Sequence, residues 1–270
     1  MCQEQRVKPL VETVEVIENR EVSPDVYFLR VRATGVAPHI CSGQFVHLRI
    51  NGGDVLLRRP LSVCQTTADE LHIYYAVIGK GTEALTQKCV GDTSMDAIGP
   101  LGSHWPDEGI SAPLLIGGGL GMAPLGKLAH MFRDRGVAAT LIQGSQTKER
   151  LIARDVHEHV TRDITYATDD GTHGYHGFVT DLVQEAIAHK QFDAAYICGP
   201  EPMQKVVSGL ARKAGITTYV SFERRMACGV GACLGCVIPT TEGQKRVCVD
   251  GPVFNAEEVL WDDAISSRIH

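Results

Sequence analysis

The first part of the chain alternates hydrophobic and polar residues in short runs, clearest at residues 26–31, 44–50 and 71–77. Alternation with a period of two, interrupted by glycines and polar residues, predicts half-buried β-strands. Asn51–Asp54 contains two glycines between two such runs and predicts a hairpin turn. Many short strands at this spacing predict a small antiparallel β-barrel, to which we assign residues 1–108.

Residues 109–220 change to a repeated pattern of strand, loop and helix. Four short apolar runs predict buried parallel strands, at residues 114–116, 139–142, 164–167 and 194–197. After the first run, apolar residues recur at helical spacing and a glycine follows them: Leu125, Leu128, Ala129, Phe132 and then Gly136. This alternation predicts a doubly wound α/β domain that binds its ligands at the carboxyl ends of the strands.

The last segment, residues 221–270, is rich in cysteine and glycine and lacks helical periodicity. So short a segment needs a covalent or metal staple. Cys228, Cys233 and Cys236 have the spacing C-x4-C-x2-C, and Cys248 follows after eleven further residues. This is the plant-type spacing of the four thiolate ligands of a [2Fe–2S] cluster.

Glycines surround these cysteines, at positions 229, 231 and 235. Glycine lets the backbone fold tightly around a cluster and direct its N–H groups at the sulfur atoms. The alternative is a structural zinc site, which usually shows two C-x2-C-like pairs rather than a triplet and one distant cysteine. The sequence therefore favours the iron–sulfur cluster.

The composition and charge narrow the class of protein and the cellular compartment in which this site would lie. A net charge of −6 argues against a nucleic-acid-binding protein. The chain shows neither an apolar run long enough for a membrane span nor the apolar core of a secretory signal, so we expect a cytoplasmic protein. Nine cysteines in that compartment predict thiols and metal ligands rather than disulfides. Cys2, Cys41, Cys64 and Cys89 are interpreted as core fillers or inert thiols, with their roles left open.

Two loops of the α/β region have the context of a nucleotide site. Gly117, Gly118, Gly119 and Gly121 follow a predicted strand and open a helix, where a phosphate can bind, although a close-packed turn is the alternative. Cys198 ends another predicted strand at the same edge of the sheet. His173 and His176 lie in a glycine-rich loop that either borders the nucleotide or is merely solvated.

Five motifs follow one another in the order of the ferredoxin–NADP reductase superfamily: R-P-L-S at 59–62, G-K-G-T at 79–82, G-P-L-G at 99–102, the glycine loop, and C-G-P-x-P-M at 198–203. With residues 223–236 and 248–254 added, nearly the whole chain resembles the electron-transfer subunits of dihydroorotate dehydrogenase B. The resemblance implies FAD in the barrel domain, NAD(H) in the α/β domain and the [2Fe–2S] cluster in the C-terminal region.

The resemblance also implies the residues that bind these cofactors. For FAD they are Arg59, Pro60, Leu61, Ser62, Tyr74, Tyr75, Ala76, Gly81 and Thr82. For NAD(H) they are the four loop glycines with Cys198, Gly199, Pro200 and Met203. Lys148 and Arg150 follow the second predicted strand of the α/β region, where a 2′-phosphate would be held, so the preference for NAD over NADP is left open.

No Ser–His–Asp set and no paired carboxylates stand out, so we assign no catalytic residues and expect electrons to leave the chain for a partner. The resemblance implies an FMN-containing catalytic subunit, two of each chain in a heterotetramer, and a role in pyrimidine biosynthesis. Electron-transfer subunits of the sulfhydrogenase or ferredoxin-oxidoreductase type are the nearest alternative. A redox-sensing module without catalysis is an alternative of another class.

Overall fold

A computed structural model describes residues 7–51 and 55–261 of the chain. Six antiparallel strands form a closed barrel in the order β1-β2-β5-β4-β3-β6. They are β1 (Leu10–Ser23), β2 (Val26–Arg32), β3 (Phe45–Ile50), β4 (Arg59–Thr66), β5 (Glu70–Ala76) and β6 (Met95–Leu101). The predicted barrel is thus confirmed. β3 and β4 pair as a hairpin, but residues 52–54 of the predicted turn lie outside the described part.

Strand alternation decides which barrel residues face inward. On β3, Val46 and Leu48 are fully buried in the barrel core, while His47 points to the opposite face. On β5, Tyr75 enters the core, stacks on Tyr27 with ring centroids 5.5 Å apart, and donates its hydroxyl to Asn19 at 3.0 Å. The amide of Asn19 donates in turn to carbonyls at the end of helix α1 (Lys80–Thr86) and beyond it. The barrel core therefore fixes the position of α1.

A second sheet of seven strands has the order β10-β9-β8-β7-β11-β12-β15. Its strands are β7 (Pro113–Gly118), β8 (Thr140–Ser145), β9 (Ile164–Thr168), β10 (Tyr175–His176), β11 (Ala194–Cys198), β12 (Thr217–Ser221) and β15 (Val253–Asn255). Its helices are α2 (Gly126–Asp134), α3 (Arg154–Val160), α4 (Val179–His189) and α5 (Glu201–Lys213). All pairings except that of β15 are parallel, so the predicted doubly wound domain is confirmed.

The order of the strands reverses between β7 and β11, which are neighbours in space but not in sequence. Ligands of open α/β sheets bind in the crevice at this switch point, beyond the carboxyl ends of the strands. The predicted apolar face of the first helix is confirmed, because Leu125, Leu128, Ala129 and Phe132 are fully buried or nearly so. The helix thereby holds the glycine loop at the crevice.

The cysteine-rich region contains a small hairpin of β13 (Val237–Thr240) and β14 (Gly243–Arg246). It then returns as β15, which pairs antiparallel with β12. Trp105, fully buried, lies where this region meets the two larger domains: it contacts Tyr196 edge-on at 5.6 Å and donates its indole N–H to the Pro124 carbonyl at 3.4 Å. The C-terminal region is therefore built onto the rest of the molecule.

The remaining cysteines differ in their surroundings. Cys64 is buried among apolar side chains, as a core filler would be, and Cys89 is exposed. Cys41 is disulfide-bonded, so its interpretation as an inert thiol was wrong. That interpretation rested on the expected compartment, which does not determine which sulfur atoms approach each other. Cys2 lies outside the described residues.

In the part of the chain from 7 to 261 that the structure describes, no helix combines the length and the apolar character that a membrane crossing requires.

Candidate functional site

The β13–β14 hairpin brings two of the four predicted cluster ligands together. Cys236 immediately precedes β13 and Cys248 follows β14 by two residues. The Val247 N–H donates to the Cys236 carbonyl at 3.0 Å, which continues the pairing of the hairpin up to both cysteines. Each is only 2% exposed. The eleven residues between Cys236 and Cys248 therefore fold as a hairpin that places the two thiols side by side.

The other two cysteines lie in a loop whose backbone N–H groups point at sulfur. Burial opposes ionisation of Cys228, but N–H groups of Val230, Cys233 and Ala232 together lower its pKa to about 6. The thiol of Cys233 contributes to this lowering and itself accepts from the Gly235 N–H at 3.5 Å. This arrangement is the one that the glycines of the loop predict, since N–H groups directed at sulfur stabilise negative charge.

The two pairs differ in exposure and charge. Burial first, and then the neighbouring Cys236, raise the pKa of Cys248 to about 12, against a lowering by the Gly231 N–H. Cys228 is half-buried and Cys233 exposed, so one pair faces the protein and the other approaches solvent.

The donor set fits an iron–sulfur cluster better than zinc. Zinc takes four ligands around one point, whereas a [2Fe–2S] cluster takes its four thiolates at two irons. Two cysteine pairs, Cys228 with Cys233 and Cys236 with Cys248, match the second arrangement.

An ion pair that the sequence did not reveal braces the loop. Arg246 binds both carboxylate oxygens of Asp250, at 3.0 and 3.2 Å, and its other terminal nitrogen donates to the Gly231 carbonyl at 3.4 Å. The backbone N–H of Arg246 also donates to the Asp250 carboxylate, at 2.7 Å. These bonds tie the segment that carries Cys248 to the loop that carries Cys228. In the sequence, Arg246 and Asp250 lie four residues apart on either side of Cys248, and this spacing could have predicted the ion pair.

On the barrel, three of the predicted FAD residues come together. The Arg59 guanidinium lies against the first turn of α1: a Cβ atom built on Gly81 would be only 2.0 Å from Arg59 Nε. Thr82 is buried, and its hydroxyl donates to the Gly79 carbonyl at 3.1 Å and accepts from the Ile78 N–H at 2.9 Å. A cation beside unpaired N–H groups of a helix start is a suitable anion site.

The remaining predicted FAD residues divide between the two faces of their strands. Pro60, Ser62 and Tyr74 are half-buried on the outside of the barrel, and Ala76 ends β5. Leu61 and Tyr75 belong to the barrel core. The structure therefore leaves only the backbone of these last two residues available to a ligand on the outer surface.

The two predicted nucleotide loops pack backbone against backbone at the crevice. A Cβ atom on Gly121 would be 2.4 Å from the Cys198 carbonyl oxygen, so only glycine permits this approach. The loop after Cys198 is held by Gln204, whose side-chain amide donates to the Gly199 carbonyl at 2.7 Å and to the Ser221 carbonyl at 2.9 Å. Sequence reasoning missed Gln204 because its role depends on a contact with β12.

The same packing brings other predicted nucleotide residues to the crevice. A Cβ atom on Gly118 would be 2.5 Å from the sulfur of Met203 and 3.0 Å from Pro200. Gly117 adjoins Met122 in the same way, and Gly119 has a left-handed backbone with φ of 55°. The members of both loops therefore share one edge of the sheet.

Cys198, at this crevice, is affected by its burial and by the charge of Glu223. Cys198 is fully buried, and burial followed by the charge of Glu223 raises the pKa of its thiol. Solvent reaches Glu223, yet the surrounding protein raises the pKa of its carboxyl. Nothing in the sequence pattern singles out Glu223.

The histidines have contrasting environments. His47 is fully buried, and burial lowers its pKa against the opposing effect of the Cys228 carbonyl. His72 is half-buried beside Glu70, and His39 is exposed. In the loop after β9, the ring centroids of His173 and Tyr166 lie 5.2 Å apart, and His176, in β10, is exposed. His47 touches the segment that carries the cysteines, at Gly229.

Comparison with known proteins gives two family models that match different parts of the chain. Residues 223–260 match the iron-sulfur cluster binding domain of dihydroorotate dehydrogenase B, and residues 115–209 match the oxidoreductase NAD-binding domain. The first match contains all four cysteines, and the second contains both nucleotide loops.

Several curated relatives share one name, the electron transfer subunit of dihydroorotate dehydrogenase B (NAD(+)). The protein of Geobacillus thermodenitrificans is 41% identical over 259 residues, which cover 92% of this chain and 98% of the relative. That of Listeria innocua is 40% identical over 255 residues, covering 91% and 97%. These alignments include the barrel as well as the two regions that the family models match.

Solved structures confirm the fold. An NADH-dependent reduced ferredoxin-NADP oxidoreductase superposes with a TM-score of 0.85 at 30% identity and covers 97% of this chain and 93% of its own. The ferredoxin reductase of carbazole 1,9a-dioxygenase superposes with a TM-score of 0.67 at 22% identity, covering 78% and 68%. The second likeness concerns the fold alone.

The N–H groups around Cys228 predict an unusually acidic thiol in protein stripped of iron. Iodoacetamide labelling of Cys228, followed by mass spectrometry between pH 5 and 9, should reach half its maximum near pH 6. Cys248 should resist labelling throughout, since its pKa is about 12. A cysteine in a model peptide, with a pKa of about 8.5, is the control. Labelling of Cys228 that follows the peptide would contradict the described loop.

Proposed function

This chain belongs to the family of the electron transfer subunits of dihydroorotate dehydrogenase B, and from that premise we propose that it passes electrons between an FMN-containing catalytic subunit and NAD in pyrimidine biosynthesis. The observation that carries the proposal is the juxtaposition of two cysteine pairs with a nucleotide crevice in one chain. The relatives at about 40% identity share that one name, which favours it over the sulfhydrogenase and ferredoxin-oxidoreductase alternatives.

The proposed cofactor sites follow the geometry. Cys228, Cys233, Cys236 and Cys248 would hold a [2Fe–2S] cluster. The nine barrel residues named above would hold FAD, with Arg59 and the start of α1 at its pyrophosphate. The glycine loop and residues 198–203 would hold NAD(H). We accordingly propose three functional regions, residues 1–108, 109–220 and 221–270.

Three kinds of cofactor are needed because a nicotinamide exchanges two electrons as a hydride, an iron–sulfur cluster carries one electron at a time, and a flavin can do both. The residues of the chain position these groups. The packing of Gly121 on Cys198 shapes the crevice, and Glu223 lies close enough to Cys198 for its charge to act on the thiol. Arg59 supplies positive charge on the barrel side.

The exposed Cys233 marks the point where the partner would bind. Cys233 is exposed, and two apolar side chains of the same loop, Val230 and Leu234, are 50% and 60% exposed. Exposed apolar residues beside an electron-transfer centre suit a protein interface. We propose that this surface meets the FMN-containing subunit, that two of each chain form a heterotetramer, and that the complex is cytoplasmic.

Reconstitution with the FMN-containing subunit tests the proposal directly. Dihydroorotate should reduce NAD only when both chains are present, and Cys233→Ala in this chain should abolish NADH formation, because one iron loses a thiolate. Cys89→Ala, at another exposed cysteine, should leave NADH formation unchanged. Formation of NADH should be followed at 340 nm, with orotate measured in parallel.

Two outcomes would contradict this function. If the complex formed orotate and NADH equally well with Cys233→Ala, the cluster would not be the route between the chains. If the isolated chain bound FAD but NADH failed to bleach the flavin spectrum, the redox-sensing alternative would be favoured.

The contact between Arg59 and Gly81 gives a second prediction. Gly81→Ala places a methyl group where the guanidinium lies and should weaken FAD binding by roughly 10- to 100-fold, since a hydrogen bond to a charged group contributes about 1.5–3 kcal/mol. Gly79→Ala is the matched control, because no atom lies within 4 Å of a Cβ atom built there. FAD retention measured by fluorescence in both variants checks this prediction, and equal retention would contradict it.

A further inference from the structure

His47 occupies an unusual place on the barrel. Its neighbours Val46 and Leu48 point into the barrel core, so the His47 side chain points outward. An outward side chain is normally accessible, yet His47 is fully buried. Another part of the chain must therefore cover it.

The cover is the loop that carries Cys228. Gly229 has φ of 70°, and a Cβ atom built on it would lie 2.4 Å from His47 Nδ1 and 3.1 Å from its Cε1. The loop backbone thus lies directly on the imidazole. The carbonyl of Cys228, one residue earlier, is close enough to favour a proton on the ring.

On its own sheet, His47 is joined to the strand that we assign to the flavin. The β3–β4 register sets His47 opposite Pro60, next to Arg59. Arg58 donates to the His47 carbonyl at 3.2 Å and pairs with Asp96 at 2.5 Å, which fixes the backbone at this point. One side chain therefore spans the distance between the flavin strand and the cysteine loop.

The polar character of this side chain needs an explanation. Neither ring nitrogen of His47 makes a hydrogen bond of ordinary distance and angle with a described residue, although the Cys228 carbonyl lies near enough to act on the ring. Burying an unpaired polar group is unfavourable, whereas an apolar ring would fill the same space without that cost. Because the Cys228 carbonyl already lies near the ring, a small adjustment of the loop would give this buried N–H its partner.

We propose that His47 is a positioning residue for electron transfer, whose ring N–H donates to the Cys228 carbonyl once the cluster is bound and so fixes the cysteine loop against the flavin strand. The inference rests on the proposed function, because it requires both redox centres. It assigns His47 no contact with substrate and no chemical step.

The test compares two substitutions with different chemistry. His47→Phe keeps a ring but removes the N–H, and His47→Asn keeps an N–H donor. With the N–H gone, release of iron to a chelator should become roughly two- to tenfold faster, the factor expected for one lost hydrogen bond. The g-values of the reduced cluster in the electron paramagnetic resonance spectrum should shift. Electron transfer from flavin to cluster, followed by stopped-flow absorbance after mixing with NADH, should slow.

His47→Asn should restore all three readouts toward those of the original protein. His39→Phe and His39→Asn are matched controls, since His39 is exposed, and should change none of them. Flavin content and the rate of flavin reduction by NADH should stay the same in every variant. Gly229→Ala, which pushes the loop off an intact His47, should reproduce the His47→Phe result and covers the case in which His47→Phe does not fold.

Three results would overturn the inference: His47→Phe with the original iron-release rate, g-values and electron-transfer rate; His47→Asn no better than His47→Phe; or Gly229→Ala without effect. Failure of the proposed function is recognised separately. In that case the unsubstituted chain itself would lack the cluster spectrum or the bleaching of flavin by NADH.

Discussion

Residues 251–255 are bonded to the barrel on one side and to the nucleotide sheet on the other. Ser103, just after β6, donates its N–H to the Gly251 carbonyl at 2.5 Å and exchanges hydrogen bonds with Val253 through its hydroxyl. Val253 also begins β15, which pairs with β12, and the Phe222 N–H donates to the Pro252 carbonyl at 3.0 Å. A short cysteine-rich segment cannot bury enough apolar surface alone. These bonds hold it against both domains, and the positions of all three proposed cofactors depend on them.

The same attachment explains the asymmetry of the cysteine pairs. Cys236 and Cys248 lie on the side of the hairpin that packs against the core, so both are buried. Cys228 and Cys233 lie on the loop that leaves this core, passes over His47 and reaches the surface at Val230 and Leu234. One end of the site therefore faces the interior of the chain and the other faces outward. A cluster that passes electrons between a bound flavin and a separate protein needs one side toward each of them.

Sequence reasoning predicted what depends on local pattern. The strand periodicities predicted the barrel and the doubly wound sheet, and the cysteine spacing predicted four ligands, two of which the hairpin brings together. The sequence also holds information that the FAD prediction did not use. Tyr74 and Tyr75 are adjacent on one strand, so their side chains must face opposite sides of the sheet. Contacts between segments that are distant in the sequence could not be predicted from local pattern. β15 is a three-residue strand that exists because β12 offers an edge, and the burial of His47 depends on a loop near the other end of the chain.

Electrons that enter at the nucleotide crevice should reach the four cysteines within this one chain. Anaerobic titration of the isolated, FAD-loaded chain with NADH, followed by visible absorbance and electron paramagnetic resonance together, measures this transfer. Flavin bleaching should be accompanied by the signal of a reduced [2Fe–2S] cluster, and this signal should be absent without FAD. Bleaching of the flavin with no iron–sulfur signal, in protein whose iron content is full, would contradict this prediction.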